Sequence, residues 1–534
     1  MPEYLSPGVY VEEIATGPRP IEGVGTSTAG FVGQTERGPI APQLVTSWLA
    51  YRRWFGAYTA NSFLPHAVQG FFTNGGQRAF IARVVGDDAV DAHLMLKDSD
   101  GNDVLDVKAN GPGAWGNNLM IKVQRGSLDA PDATPKREFF RLTIIYYAKG
   151  IPSPFVDPTD PKKLADPNRR EPDVFEDYDN LSREKGSPSY VESVINPVSR
   201  LIQLAPQDGL KSADPKKVNF GEINFEGGQD DEVTGEDYLG NEDEPEPNKR
   251  TGLAGLAAID DIAILVAPDD VNTGVTNNNI ATAILDQCEI LKDRFAVLNV
   301  DEAETDPVRM KVRDSSYGAV YHPWIRVFDP LTQDTKLVPP SGHVAGIYAR
   351  TDIERGVHKA PANEVVRGII NRDINGTRKP LKYLLTKGDQ DLLNPRGINV
   401  IRDFRKDGRD IRVWGARTMS SDSMWKYVNV RRLFIFVEES IDQGTQWVVF
   451  EPNDEPTWAM VRRSISNFLI SVWRSGALMG ATQEEAFFVK CDRTTMTQDD
   501  IDNGRLICYI GIAPVKPAEF VIFRISQKTI ETQA

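Results

Sequence analysis

The chain closes on "PAEFVIFRIS", Pro517 to Ser526, with eight residues remaining before its end. Read with a period of two, Phe520, Ile522 and Arg524 fall on one face and Val521, Phe523 and Ile525 on the other, which describes a β-strand that is largely apolar on both sides. Such a strand needs cover on both faces, yet chain ends ordinarily lie exposed. The opposite end repeats the pattern. "SPGVYVEEI" sets a Pro-Gly turn ahead of Val9, Tyr10, Val11, Glu12, Glu13 and Ile14, and the following "ATGPRPIEG" reads as a linker. Two strand-like arms flank one body, and any fold for this chain has to provide what covers them.

At 534 residues the chain exceeds the size of one hydrophobic core, so roughly two to four domains are expected. No stretch approaches about 18 consecutive apolar residues, and the N-terminus lacks a basic region followed by an apolar one. The expectation is a protein made in a bacterial cytoplasm, with no membrane insertion. Cys288, Cys491 and Cys508 are odd in number and widely spaced, which argues against a disulfide framework or a thiolate metal site and describes small buried apolar residues. A net charge of −15 disfavours a phosphate-binding surface, so nucleic acid is not expected as a direct partner. The charge is uneven: residues 1–86 hold 6 basic and 5 acidic side chains, residues 381–534 hold 21 and 20, and residues 87–380 hold 34 and 51. The ends are near neutral, and the middle carries the imbalance.

Along the chain, the pattern predicts a short helix over Trp48 to Phe55, a second opening at "LPHAV" and running to the Gly-Gly turn, and a strand from Ala79 to Val85, together a small α/β piece. From about Asp87 to Arg250 the pattern loosens into Pro-rich and charged stretches, with occasional strands such as Leu142 to Tyr147. Residues 226–246 contain ten acids and no Lys or Arg, which predicts an exposed, mobile loop. A calcium site there is disfavoured, because the ligand alternation and central Gly of an EF-hand loop are missing. Regular structure returns with a strand over Ile262 to Val266, a helix over Ile280 to Arg294 and a strand over Phe295 to Val300, a βαβ pattern. Asp269 and Asp270 follow the first of these strands, where open α/β sheets bind ligands, although a turn with solvated acids is the preferred reading. Further on, Val430, Leu433, Phe434, Val437 and Ile441 recur at helical spacing. So do Trp458, Val461, Ile465, Phe468, Leu469, Val472 and Trp473, with Pro456 suited to the first turn and Gly476 to the end. Arg463, Asn467 and Arg474 project from the opposite side, as a solvated face or a partner surface.

Signatures of catalysis are missing. The sequence holds no GxxxxGK phosphate loop, HExxH, GxSxG elbow or paired CxxC, and His66, His93, His322, His343 and His358 show no ligand spacing. No cofactor or metal is expected, and the weight shifts from an enzyme to an interaction protein.

Taken together, several segments resemble the tail sheath proteins of contractile phages and related contractile injection systems. These are "SPGVYVEEI", "TSTAGFVG" and "FFTNGGQRAFIARVVG" near the start, then "GLAGLAAIDDIAILVAPDD", "RFAVLNV" and "SSYGAVYHPWIRV". More specific are "VPPSGHVAGIYARTDIERGVHKAPAN" and the run from "LNPRGINVIRDF" through "VRRLFIFVEESI" and "WVVFEPND" to "APVKPAEFVIFRISQ". The similarity spans the first 86 residues and nearly all of 250–530, leaving about 87–250 outside it as a variable outward insertion. His358 stands where such proteins often carry Trp. One chain carries both halves that type VI secretion sheaths split between two, which argues against that branch and its unfoldase partner.

The resemblance implies an α+β and α/β multidomain chain with a discontinuous inner domain from both ends, a middle α/β domain, a variable outer insertion and extended terminal β-arms. The expected divisions are an N-terminal linker arm at 1–22, a first inner-domain segment at 23–86, the outer insertion at 87–250, a middle domain at 251–380, a tube-facing second inner-domain segment at 381–516 and a C-terminal strand arm at 517–534. It also implies a structural subunit, not an enzyme, that polymerises with itself as hexameric rings stacked in a helix around an inner tube protein, with baseplate and terminal cap proteins as further partners. Val9, Tyr10, Val11, Glu12 and Ile14 of one arm, and Phe520 to Ile525 of the other, would add strands to a small sheet in neighbouring copies. Arg463, Asn467 and Arg474 would face the tube. Contraction from an extended state would draw on new contact between bodies and no nucleotide, with the arms as hinges. Two other readings are an α/β enzyme using Asp269 and Asp270, and a non-contractile self-assembling shell or tube.

Overall fold

In the computed structural model the described residues are 20–128, 139–206, 215–370 and 379–524. The chain divides into two compact units, Gly25–Arg431 and the remainder, formed from the segment up to Val24 with that from Arg432 onward.

The larger unit begins with β1 (Ala29–Gly33), β2 (Gln43–Val45), α1 (Trp48–Phe55), α2 (Leu64–Thr73) and β3 (Ala79–Arg83). Both helices predicted here form, and the strand forms from Ala79 but ends at Arg83, short of Val85; Ser47 caps α1 by accepting from the Ala50 N–H. Six strands follow: β4 (His93–Lys97), β5 (Asp103–Ala109), β6 (Leu119–Arg125), β7 (Phe140–Tyr146), β8 (Val174–Leu181) and, after α3 (Val191–Ile195), β9 (Ile202–Pro206). They make two antiparallel three-stranded sheets, β4-β5-β9 and β6-β7-β8. The sheets share one core in which Leu96, Val107, Ile121, Leu142 and Ile144 are buried. This stretch, read from sequence as loosened, is therefore well packed, because its alternating apolar residues were masked by the Pro-rich and charged connections between them.

The 226–246 stretch also departs from expectation. It is held at several points: Glu226 and Gln229 bridge to His93 and Val90, and Thr234 to Thr276. The Asp230 carboxylate accepts from the Ala114 N–H at 2.9 Å, and Tyr238 is fully buried. A few well-placed apolar side chains outweigh the repulsion among acids that remain solvated. Among the described residues no group of three or more His, Cys, Asp or Glu side chains is placed to hold a metal ion.

The unit continues with α4 (Gly252–Ala257), β10 (Ile264–Val266), α5 (Ile280–Leu291), β11 (Phe295–Asn299), β12 (Gly318–His322), the hairpin β13 (Ile325–Asp329) and β14 (Asp334–Val338), α6 (Ser341–Arg355), β15 (Glu364–Val365), α7 (Lys387–Leu393), β16 (Ile398–Asp403) and β17 (Ile411–Val413). Helix α5 stops short of Arg294 because Lys292 adopts a left-handed conformation at its end. A nine-stranded sheet in the order β15-β17-β16-β12-β11-β10-β1-β3-β2 forms the centre. From β16 through β3 its neighbours run parallel, and the pairs at both edges are antiparallel.

Both faces of this sheet are covered, so β1, β10, β11 and β12 are buried along their whole length. Val32, Leu265, Ala296 and Leu298 point into a core with Leu253 and Leu256 of α4 and Ile284 and Leu285 of α5. Their alternate neighbours face α2 and α6: Phe31 meets Phe71 edge to face, and Phe295 and Tyr321 meet Tyr348. Helices α2 and α6 approach so closely that a Cβ at Gly342 would lie 2.4 Å from the Ala67 backbone, and one at Gly346 would lie 2.4 Å from the Phe71 carbonyl.

Residues 23–86 were expected to join 381–516 in one inner domain. Instead, from Gly25 they belong with the middle of the chain, because β1 lies between β3 and β10 and its ladder bonds are made there. Residues 381–431 belong there as well, through β16 and β17.

The smaller unit takes most of α8 (Val428–Thr445), then α9 (Glu455–Arg474), α10 (Gln483–Ala486), β18 (Phe487–Lys490), α11 (Gln498–Asp502) and β19 (Tyr509–Ile512). The segment at Ile21–Val24, of which residues 21 and 22 were assigned from sequence to a linker arm, packs along α8. Ile21 is buried, a Cβ on Gly444 would lie 2.6 Å from it, and the Val24 N–H donates to Ser440 Oγ at 3.1 Å. Helix α9 starts at the Asp454 cap, carries Pro456 in its first turn and is followed by Gly476 with φ of +84°. Its stripe of Trp458, Val461, Ile465, Phe468, Leu469 and Val472 is buried.

Candidate functional site

Strands β18 and β19 form a two-stranded antiparallel sheet beside α9, with Phe487 opposite Ile512 and Lys490 opposite Tyr509. Beyond β19 the chain continues on the same side as β18, with Leu478 bridging to Pro514, the Met479 N–H bonded to the Ala513 carbonyl and the Val515 N–H to the Ala477 carbonyl. Among the described residues, the outer edges of β18 and β19 have no ladder partner. A short sheet with two open edges is a template for further strands. Phe488 and Tyr509, on its outward face, are 58% and 57% exposed.

Phe520, Val521, Ile522 and Phe523 are 70–82% exposed and have no regular secondary structure, and Arg524 is exposed as well. The strand anticipated there is not formed by residues 520–524, because a strand requires a second strand to bond to, and among the described residues none pairs with this segment. Ile525 lies outside the described residues, as do Val9, Tyr10, Val11, Glu12 and Ile14.

Arg463, Asn467 and Arg474 are brought together. On α9 they project within about 40° of one another, given a rotation of about 100° per residue, and all three are exposed on the side away from the buried stripe. A groove between α9 and β18 is lined by Ala459, Arg462, Arg463 and Ser466 from the helix and by Phe487 and Phe488 from the strand.

Asp269 and Asp270 do not occupy the solvated turn favoured from sequence. Asp269 has no exposed surface and accepts hydrogen bonds from Ser62 Oγ, the Phe63 N–H at 2.8 Å, the Tyr238 hydroxyl at 2.9 Å and Asn272 Nδ2 at 3.2 Å. Asp270 accepts from the Asn299 N–H at 3.0 Å and from Asn299 Nδ2 at 2.7 Å. Burial raises the pKa of both, that of Asp270 to about 7, against the opposing pull of those donors. The lone pairs are committed to the segment before α2, to Tyr238 and Asn272, and to the end of β11, so the pair acts as a structural junction. Sequence reasoning missed this because the donors lie far away in the chain, at Ser62, Phe63 and Asn299.

The buried histidines were also missed. His66, His322 and His343 are each at most 3% exposed. Burial lowers their pKa values to about 4, 4 and 3, with Lys336 adding to the effect at His66 and His66 adding to it at His343, while Asp329 opposes it at His66.

Comparison with known proteins decides the family. The model described as "Phage tail sheath protein central domain" matches residues 231–419, and that described as "Phage tail sheath C-terminal domain" matches 420–528. The chain belongs to the phage tail sheath family. The match starts at 231, so the acidic stretch from there on, set outside the resemblance from sequence, lies within the family's central region. A Pseudomonas aeruginosa (strain UCBPP-PA14) protein named as a prophage major tail sheath protein is 30% identical over 207 residues, 38% of this chain and 49% of its own length. The tail sheath protein of Salmonella phage ViI is 29% identical over 204 residues, 38% of this chain and 30% of its own length. This sheath-family chain thus matches about half or less of the length of these curated relatives. In fold it is similar to the sheath of an extracellular contractile injection system, the PVC sheath complex in its contracted state, with a TM-score of 0.55 and 23% identity over 99% of both chains. Among the described residues no helix is long and apolar enough to cross a membrane.

Proposed function

We propose that the chain is the structural subunit of a contractile sheath, which polymerises helically around an inner tube and contracts from a metastable extended state to drive the tube through a target envelope. The observation that carries this reading is the exposed apolar run Phe520–Phe523, leaving the body of a sheath-family chain shortly after a small sheet with two open edges. Strand addition by the arms of neighbouring copies at those edges satisfies both. The partners are further copies of the chain as stacked hexameric rings, an inner tube protein, and baseplate and terminal cap proteins; the particle is a phage tail or an injection device. No catalytic step is assigned.

Energetics favour a lattice over a dimer. Burying the apolar side chains of one arm contributes roughly 1.5–3 kcal/mol each, and ordering its backbone costs about 1–2 kcal/mol per residue, so a single arm is a weak tie. Two outgoing and two incoming arms make later contacts effectively intramolecular once a ring is nucleated. The exposed face of α9 with Arg463, Asn467 and Arg474 is assigned to the tube in the extended state.

Electron microscopy of the purified full-length chain tests the reading: wide cylinders of regular helical order are expected. A chain that stays monomeric at high concentration, with and without tube protein, would overturn it.

A further inference from the structure

The sequence set Cys491 and Cys508 aside as small buried apolar residues, and the fold gives them a relation that spacing did not suggest. In the β18–β19 register Phe487 faces Ile512 and Lys490 faces Tyr509, so the next opposed pair is Cys491 with Cys508. The Ala513 N–H bonds to the Ala486 carbonyl, which makes 486 and 513 a hydrogen-bonded pair. Hydrogen-bonded and non-hydrogen-bonded pairs alternate along an antiparallel ladder, and continuing that alternation puts 491 and 508 at a non-hydrogen-bonded position. There Cα atoms stand about 4.5 Å apart, inside the range of about 4.4–6.8 Å that a disulfide spans. Both side chains fall on the inner face of the hairpin, in a cluster with Trp458 and Met496; Cys491 has no exposed surface and Cys508 is half-buried.

We propose that Cys491 and Cys508 are a modification site, a thiol pair that closes to an intramolecular disulfide across the β18–β19 hairpin by exchange with a small-molecule disulfide. In the exchange one cysteine sulfur attacks the small disulfide RSSR, giving a mixed disulfide and one RS⁻. The other cysteine sulfur then attacks the cysteine sulfur of that mixed disulfide and expels the second RS⁻. The protein pair loses two electrons and two protons, RSSR gains the two electrons, and the protons end on the two released thiols. Cys508 is the partly exposed residue of the two. The Cys491 pKa is lowered by the hydrogen bond from the Cys508 thiol, against burial, which raises it, and with help from the nearby positive charge of Arg462, whose Nη1 donates to the Cys491 carbonyl at 2.9 Å. The bond would tie off the excursion that carries α11 and hold the strand pair in register. Thiols stay reduced in a cytoplasm, so the clasp would close only in an oxidising medium. Its chemistry needs only the folded chain, whether or not arms of other copies add to the hairpin.

The test treats the full chain with excess glutathione disulfide beside a sample held in reductant. Expected are a loss of the mass of two hydrogens, a linked peptide pair containing Cys491 and Cys508, reversal by dithiothreitol, and a thermal midpoint raised by roughly 5 °C or more. The variants C491S and C508S should each fail to form the link. A lasting glutathione adduct on Cys508, a disulfide-linked dimer, unreacted thiols in the folded chain, or a lower midpoint on oxidation would each overturn the proposal.

Discussion

Asp269 sits one residue from Asp270 at the end of a parallel strand, a place where ligands often bind, yet its surroundings make it a fixture of the fold. Four donors converge on it, from Ser62, Phe63, Tyr238 and Asn272. Replacing Asp269 by Ala strands those donors and is expected to lower the stability of the larger unit by at least about 3 kcal/mol in urea denaturation. The buried histidines give the fold a pH dependence with a definite sign. A folded-state pKa of about 3 for His343, below its ordinary 6.5, means the unfolded chain takes up the proton first, so this contribution to stability is lost as pH falls below 6.5 toward 3. Asp270, raised to about 7, acts oppositely over an overlapping window: its contribution is present below its ordinary 3.8 and is lost as pH rises through 7. The Asp270 effect is common to wild type and H343N and cancels between them. Between pH 6 and 4 the wild type should therefore lose about 1.4 kcal/mol more per pH unit than H343N, read from urea midpoints.

Single elements were legible in proportion to how local their signals are. Helix α9 announces itself through its apolar stripe, Pro456 and Gly476, and the structure adds the cap, with the Asp454 carboxylate accepting from the Thr457 N–H at 3.1 Å. D454A should cost about 1 kcal/mol and L469A, which empties a fully buried position, about 2–5 kcal/mol, both by chemical denaturation. The acidic 226–246 stretch shows the opposite case. Its charge dominates any window of sequence, whereas its placement depends on Tyr238, whose hydroxyl donates to Asp269. Limited proteolysis should find the wild-type stretch resistant and Y238A cleaved within it.

At the scale of the whole molecule, the apolar terminal run reads from sequence as a strand in need of a partner, and Phe520–Phe523 are exposed in the single chain. Removing residues 517–534 takes away an arm and no described core residue, so the truncated chain is expected to keep its far-ultraviolet dichroism and thermal midpoint while losing the ability to form cylinders under the electron microscope. Reversing the charges of Arg463 and Arg474 together should weaken binding to the tube protein while leaving sheet formation by the arms intact, measured as tube occupancy inside assembled sheath. Unchanged occupancy would remove α9 from the tube contact.

Features carried by neighbouring residues could be read from the amino acids directly: the periods of α8 and α9, the turn chemistry that ends α9, the buried strands around 264 and 295, and the apolar run at 520–523. Long-range packing settled the rest. Through it residues 29–83 join the central sheet, Asp269 is sealed and hydrogen-bonded, Tyr238 anchors an acidic stretch, and Cys491 meets Cys508. These depend on segments distant in the chain coming into register. The free energy of such meetings lies in burial and hydrogen bonding between partners that no short window of sequence contains.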